Sequence, residues 1–195
     1  MAAHPVHRFG TVLRGIGMAL FAAMAGTLCL LVAGHAAGLR FNVTRSLPLG
    51  VYRTVDRPVA RHAYVRFCPP RDGAFALAME RGYLHSGDTC GSGYLPMLKR
   101  VAAMPGEQVR AQDDGVWVEG RRLPLSARLA ADLAGRPLPR PVPAWLRLTP
   151  SQLWVMSDTN PRSFDSRYFG AIERSWVIEV VEPVMTWGAG GTWSG

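Results

Sequence analysis

The sequence predicts a mostly β domain with a small helical, Pro-rich cap, preceded by one transmembrane helix. Three observations carry this. From Gly15 to Leu39 there is no formally charged side chain, a run of 25 residues, and ~20 helical residues suffice to cross a ~30 Å hydrocarbon core. Beyond Arg40, apolar residues fall in short runs of strand length bounded by turn signals. The 15 Pro and 21 Gly among 195 residues argue against a helical bundle and for many turns. Charged residues make up only 18% against 48% hydrophobic, which excludes a disordered chain.

Residues 1–14 carry Arg8 and Arg14 ahead of the apolar run. By the positive-inside rule this segment stays in the cytoplasm and the remainder is translocated, although Arg40 and Arg45 just beyond the run weaken that bias. Small residues at 33–37 suit a cleaved signal peptide, but the run exceeds the usual length of about 7–15 residues. The reading adopted is an uncleaved signal anchor over 15–39, then one exported domain over 40–187 and a flexible tail at 188–195. Cys29 lies within the anchor. Cys68 and Cys90 lie in the exported part, where a disulfide can persist. A zinc site from His62, Cys68, His85 and Cys90 is the alternative, and no close-set ligand pair supports it.

In the exported part, 50–55 and 63–67 read as strands around a turn with Pro58. Asp72 is placed to cap a helix over 75–81 that ends at Gly82. Residues 98–103 form an apolar strand interrupted by Lys99 and Arg100 and stopped by Pro105-Gly106. Strands 108–112 and 116–119 flank the hairpin signal Asp113-Asp114-Gly115. The Pro- and Arg-rich stretch 121–150 reads as an insertion with a helix near 126–134. Strands over 153–156 and 177–181 complete the domain.

Three segments hold candidate chemistry. Ser46 lies seven positions beyond Leu39, a reach of at most ~25 Å, so it stays near the membrane surface. On spacing alone, an ordinary turn serine before a Pro-x-Gly turn is the favoured reading. A Ser-His-acid triad lacks support, since His62 and His85 have no neighbouring acid to orient them. Lys99 is the better base: strand alternation groups it with Val101 and Ala103 while Arg100 points away. Desolvation by such neighbours lowers a lysine from ~10.4 towards the range where it is neutral and basic. A surface Lys-Arg pair on an edge strand is the competing reading. The third segment, Ser157 to Gly170, is dense in short polar residues after an apolar strand, as a solvated loop also is.

Taken together, Asn42-Val43-Thr44-Arg45-Ser46-Leu47-Pro48-Leu49-Gly50, Leu98-Lys99-Arg100-Val101 with Pro105-Gly106, and Ser157 to Gly170 resemble the TraF-type branch of the signal peptidase I family. Ser157 and Thr159 depart from that family's last motif. The resemblance implies a signal peptidase-like β fold and a Ser/Lys endopeptidase that needs no cofactor or metal. Ser46 would be the nucleophile and Lys99 the general base. The Ser46 amide and the Thr44 hydroxyl would form the oxyanion hole. Ser163 would hold Lys99, Asp165 would pair with Arg167 beneath the dyad, and Asp158 would be the acid that TraF-type enzymes need. The implied substrate is the pilin precursor of a conjugative type IV secretion system, hydrolysed or resolved to a cyclic pilin. The implied setting is the bacterial inner membrane, with the catalytic domain in the periplasm and other conjugation-machinery proteins and inner-membrane lipids as partners. The rivals are a general signal peptidase I for secreted preproteins and a non-catalytic pilus-assembly scaffold of the same fold.

The formal charge of +8 and a pI near 10.2 invite a nucleic-acid reading. No recognition element accompanies them, and no nucleic-acid partner is expected. The arginines after the anchor and in the insertion favour anionic lipid headgroups instead.

Overall fold

The computed structural model describes residues 6–140 and 145–188, with side chains from Val12 onward. The chain divides into two compact units, 1–39 and 40–195. The first is helix α1, Val6–Ala36. Its segment Val12–Ala36 has 25 residues at a mean hydropathy of 2.2, long and apolar enough for single-pass anchoring in a membrane. The helix begins nine residues before the predicted anchor, so Arg14 lies within it. It ends at Ala36 rather than Leu39 because Gly38 takes φ 81° and closes the last turn with a bond from its amide to the His35 carbonyl.

The second unit is built on a seven-stranded sheet. Its strands are β1 (Leu39–Asn42), β2 (Leu49–Val55), β3 (Tyr64–Phe67), β4 (Met97–Ala103), β9 (Gln152–Met156), β10 (Ile172–Glu173) and β11 (Val177–Trp187). They lie in the order β1-β2-β11-β3-β4-β9-β10. A four-stranded sheet, ordered β7-β6-β5-β8, is formed by β5 (Gln108–Gln112), β6 (Gly115–Val118), β7 (Arg121–Arg122) and β8 (Trp145–Arg147). Two short helices, α2 (Gly73–Glu80) and α3 (Ser166–Phe169), complete it. The protein is therefore mostly β with few helices.

Strand β9 shows how the two layers share a core. Leu153 and Val155 enter a cluster with Val65, Phe67, Phe75 and Tyr168, while the alternating Trp154 and Met156 enter a second cluster with Val109, Val116 and Leu148. A strand covered on both faces reads as one continuous apolar run, and Leu153, Trp154, Val155 and Met156 are all fully buried. Burying four such side chains is worth roughly 1.5–3 kcal/mol each.

Several sequence expectations change. Ala103 does not share the face of Lys99: the β4–β9 register shifts between Val101 and Ala103, and that irregularity carries Ala103 into the second cluster. No helix forms over 126–134. Local side-chain bonds compete there with helix formation: Ser126 Oγ accepts from Val116 N at 3.0 Å and Asp132 Oδ1 accepts from the amides of Ala134 and Arg136 at 2.9 Å. Residues 131 and 137 instead form an isolated bridge. Asp72 stands at the N-cap of α2 but makes no side-chain cap bond. Strand β11 runs six residues past its predicted end, through Pro183, where its pairing with β2 shifts register. Of the predicted tail 188–195, only Gly188 falls among the described residues.

Cys68 and Cys90 form a disulfide across 22 positions of sequence, enclosing α2. This takes both thiolates from the alternative zinc site.

Candidate active site

Lys99 is positioned by β4. Met97 and Val101, on its own face, both belong to the main core, and its cross-strand partner Val65 is fully buried. The lysine therefore points into the protein and is only 2% exposed. Burial lowers it from the ordinary 10.5 to about 8, the Asp165 carboxylate pulling the other way and the Arg167 guanidinium adding to the fall. Its Nζ lies 2.8 Å from Ser163 Oγ.

Ser46 sits in the turn that joins β1 to β2. Asn42, buried at the end of β1, organises this turn. Its Nδ2 donates to the carbonyls of Leu47 (3.2 Å) and Pro48 (3.0 Å), and its Oδ1 accepts from the amide and hydroxyl of Thr44 at 3.2 and 2.9 Å. Tyr52 adds a third tie, its hydroxyl donating to the Pro48 carbonyl at 2.8 Å. Ser46, Lys99 and Ser163 line one cleft of about 390 Å³. No hydrogen bond joins Ser46 to Lys99 among the described residues. The Ser46 amide likewise donates to nothing there, whereas the Thr44 hydroxyl gives its proton to Asn42. Thr44 must turn that proton away from Asn42 before it can serve an oxyanion.

The loop 157–165 joins the two halves of the cleft. Ser157 and Thr159, the two departures from the family motif, both have partners. Ser157 Oγ accepts from the amides of Thr159 (3.2 Å) and Asn160 (2.8 Å), and Thr159 Oγ1 reaches the Ser46 carbonyl at 3.4 Å. Beneath the loop, Arg167 grips Asp165 through Nε to Oδ1 and Nη2 to Oδ2, both at 2.8 Å, with neither side chain exposed. The same guanidinium donates to the carbonyls of Leu125, Ala127, Pro161 and Ser163. It thus anchors the insertion and the loop together.

Asp158 sits apart from this chemistry. Its buried carboxylate pairs with Arg100, which alternates to the face opposite Lys99 and lies over the Tyr64 ring at 5.4 Å. Among the described residues, no hydrogen bond or ion pair joins Asp158 to Ser46 or Lys99. The ties made by Asn42, Thr159 and Asn160 have no counterpart in the sequence reading. Their only sequence signal is the Asx and Ser/Thr turn composition on either side of Ser46 and Pro161. A second cavity, of about 480 Å³, adjoins the cleft and shares Tyr83, Arg162 and Phe164 with it.

Comparison with known proteins adds a family. Residues 12–187 match the model of signal peptidase, peptidase S26. The chain is 47% identical over 176 residues to a plasmid transfer protein TraF of Escherichia coli, covering 90% of this chain and 98% of that one. It is 37% identical over 159 residues to a conjugal transfer protein TraF of Agrobacterium tumefaciens (strain 15955), covering 80% and 88%. A shorter match, 28% over 92 residues, joins 44% of this chain to 55% of signal peptidase I V of Bacillus subtilis (strain 168).

Proposed function

The chain belongs to the signal peptidase, peptidase S26, family, and from that premise we propose that it is a membrane-anchored Ser/Lys endopeptidase of conjugative transfer that matures a pilin precursor. The buried Lys99, lowered to about 8 and held by Ser163 in the cleft that Ser46 also lines, is the observation that carries the reading. A lysine in that environment is a base near neutral pH. As Ser46 Oγ attacks the peptide carbonyl, its proton passes to Lys99 Nζ. The oxyanion is met by the Ser46 amide and, after rotation, by the Thr44 hydroxyl; one well-aimed donor is worth ~3 kcal/mol. Lys99 then returns the proton to the leaving amine, and water or an incoming amine resolves the acyl-enzyme.

Ser163 fixes the Lys99 rotamer, and the Asp165–Arg167 pair holds the loop that carries Ser163. The TraF relatives, whose names place them in plasmid and conjugal transfer, support a role in conjugative transfer, within which the pilin precursor is our proposed substrate. In this reading α1 is the inner-membrane anchor and the domain lies on the periplasmic side.

Replacing Ser46 by Ala, or Lys99 by Ala, is expected to stop processing of the co-expressed pilin precursor while leaving the fold intact by circular dichroism. A Lys99→Ala protein that matures pilin at the wild-type rate contradicts the dyad.

A further inference from the structure

The rim of the cleft carries charge that the proposed chemistry does not use. Arg45 and Arg162 both line the cleft and are both exposed. Arg45 immediately precedes Ser46, and Arg162 immediately precedes Ser163, whose hydroxyl bonds Lys99. One side chain holds both backbones: Asn160 Nδ2 donates to the Arg45 carbonyl at 3.1 Å, and Asn160 Oδ1 accepts from the Arg162 amide at 2.9 Å. The backbones of the two arginines are thus tied by a common strut beside the proposed reaction centre.

Their surroundings lack an internal counter-charge. No Asp or Glu lines the cleft, and among the described residues no carboxylate pairs with either side chain. The other guanidiniums of the lining, Arg40 and Arg66, are both taken by Glu179. An exposed arginine is ordinarily just a solvated one. Two of them, without acidic partners and with backbones tied by one residue beside the same proposed centre, make a site of defined charge.

We propose that Arg45 and Arg162 read a carboxylate in the substrate beside the bond to be cleaved. That carboxylate is either the side chain of Asp or Glu or a free chain terminus close behind the bond. The proposal rests on the peptidase reading and names the substrate chemistry of that same site. Guanidinium binds carboxylate through two parallel, charge-assisted bonds, which either arginine at the cleft can supply.

The test uses the full-length chain in detergent micelles, carrying Ser46→Ala so that bound peptide is not consumed. Fluorescent peptides of small neutral residues are titrated by anisotropy in matched pairs: an internal Glu against Gln at each position, and a free carboxy terminus against its amide. The acidic member of at least one pair is expected to bind about tenfold tighter, the usual gain of one charge-assisted bond. The preference should shrink as salt rises. It should fall to within about twofold after Arg45→Gln with Arg162→Gln, and survive in part in the two Lys variants, as expected of charge reading. The position of the preferring pair separates a side-chain carboxylate from a chain terminus.

Equal binding of all pairs, a preference untouched by the double variant, or no binding of any peptide overturns the proposal. So does loss of binding to phosphatidylglycerol vesicles in the double variant while the peptide preference stays, since the arginines then serve lipid. Acylation of Ser46 in the otherwise unaltered chain by an uncharged serine-reactive inhibitor separates the two failures. Normal acylation without charge preference removes this inference alone. Charge preference without acylation removes the peptidase reading and leaves the acid-binding site standing.

Discussion

Lys99 illustrates at the scale of one residue how a group proposed as a catalytic base opposes stability. A lysine lowered from 10.5 to about 8 by burial is harder to protonate in the native protein than in the unfolded chain. Below pH 8 both states hold the proton, so the whole penalty stands, about 3 kcal/mol at ~1.4 kcal/mol per tenfold. Between about 8 and 10.5 the unfolded chain binds more protons, so stability rises with pH; above that range the penalty is gone. The bond to Ser163 offsets only ~1 kcal/mol. Lys99→Met is therefore expected to stabilise the protein at pH 7 by up to about 3 kcal/mol in urea unfolding, and by much less at pH 10. An equal loss of stability at both values would contradict it. The sequence makes Lys99 legible because its apolar strand neighbours lie within a few positions. It hides the Arg100–Asp158 pair, because that contact spans 58 positions and depends on the β4–β9 register.

Elements set the cleft through their connections rather than their own geometry. Strands β2 to β6 are visible in the sequence to within a residue or two, since each is a short run carrying apolar residues and bounded by turn signals. The strands the sequence does not announce are β1, β7, β8 and β10, and the last three, of two or three residues each, are too short for a period to register. The insertion misleads for the opposite reason: helix-forming residues at 127–134 are overruled by the local bonds of Ser126 and Asp132. Among the connections, the Cys68–Cys90 disulfide closes the segment that carries α2 and then delivers Tyr83, Leu84 and His85 to the cleft. Cross-linking a loop of that size is worth ~3 kcal/mol in the chain-entropy model. Cys90→Ser is expected to lower unfolding stability by roughly that amount, measured by the urea midpoint under non-reducing conditions. An unchanged midpoint would show that the rest of the fold already restrains this segment.

The whole molecule is one apolar helix of membrane-crossing length and one β domain, and its composition divides accordingly. The apolar run belongs to α1, while the domain's own core rests on two clusters that β9 separates. Ser46, the proposed nucleophile, lies in the turn after β1, ten positions along the chain beyond the end of that helix. The proposed function depends on one chemical claim, that Lys99 in its neutral form activates Ser46. The rate at which a serine-reactive acylating inhibitor labels the full-length protein, followed by mass spectrometry across pH, tests that claim most directly. The account predicts a single adduct on Ser46 whose rate rises with pH through an apparent pKa near 8 and vanishes in Lys99→Ala; labelling elsewhere, or a rate indifferent to pH and to Lys99, would contradict it.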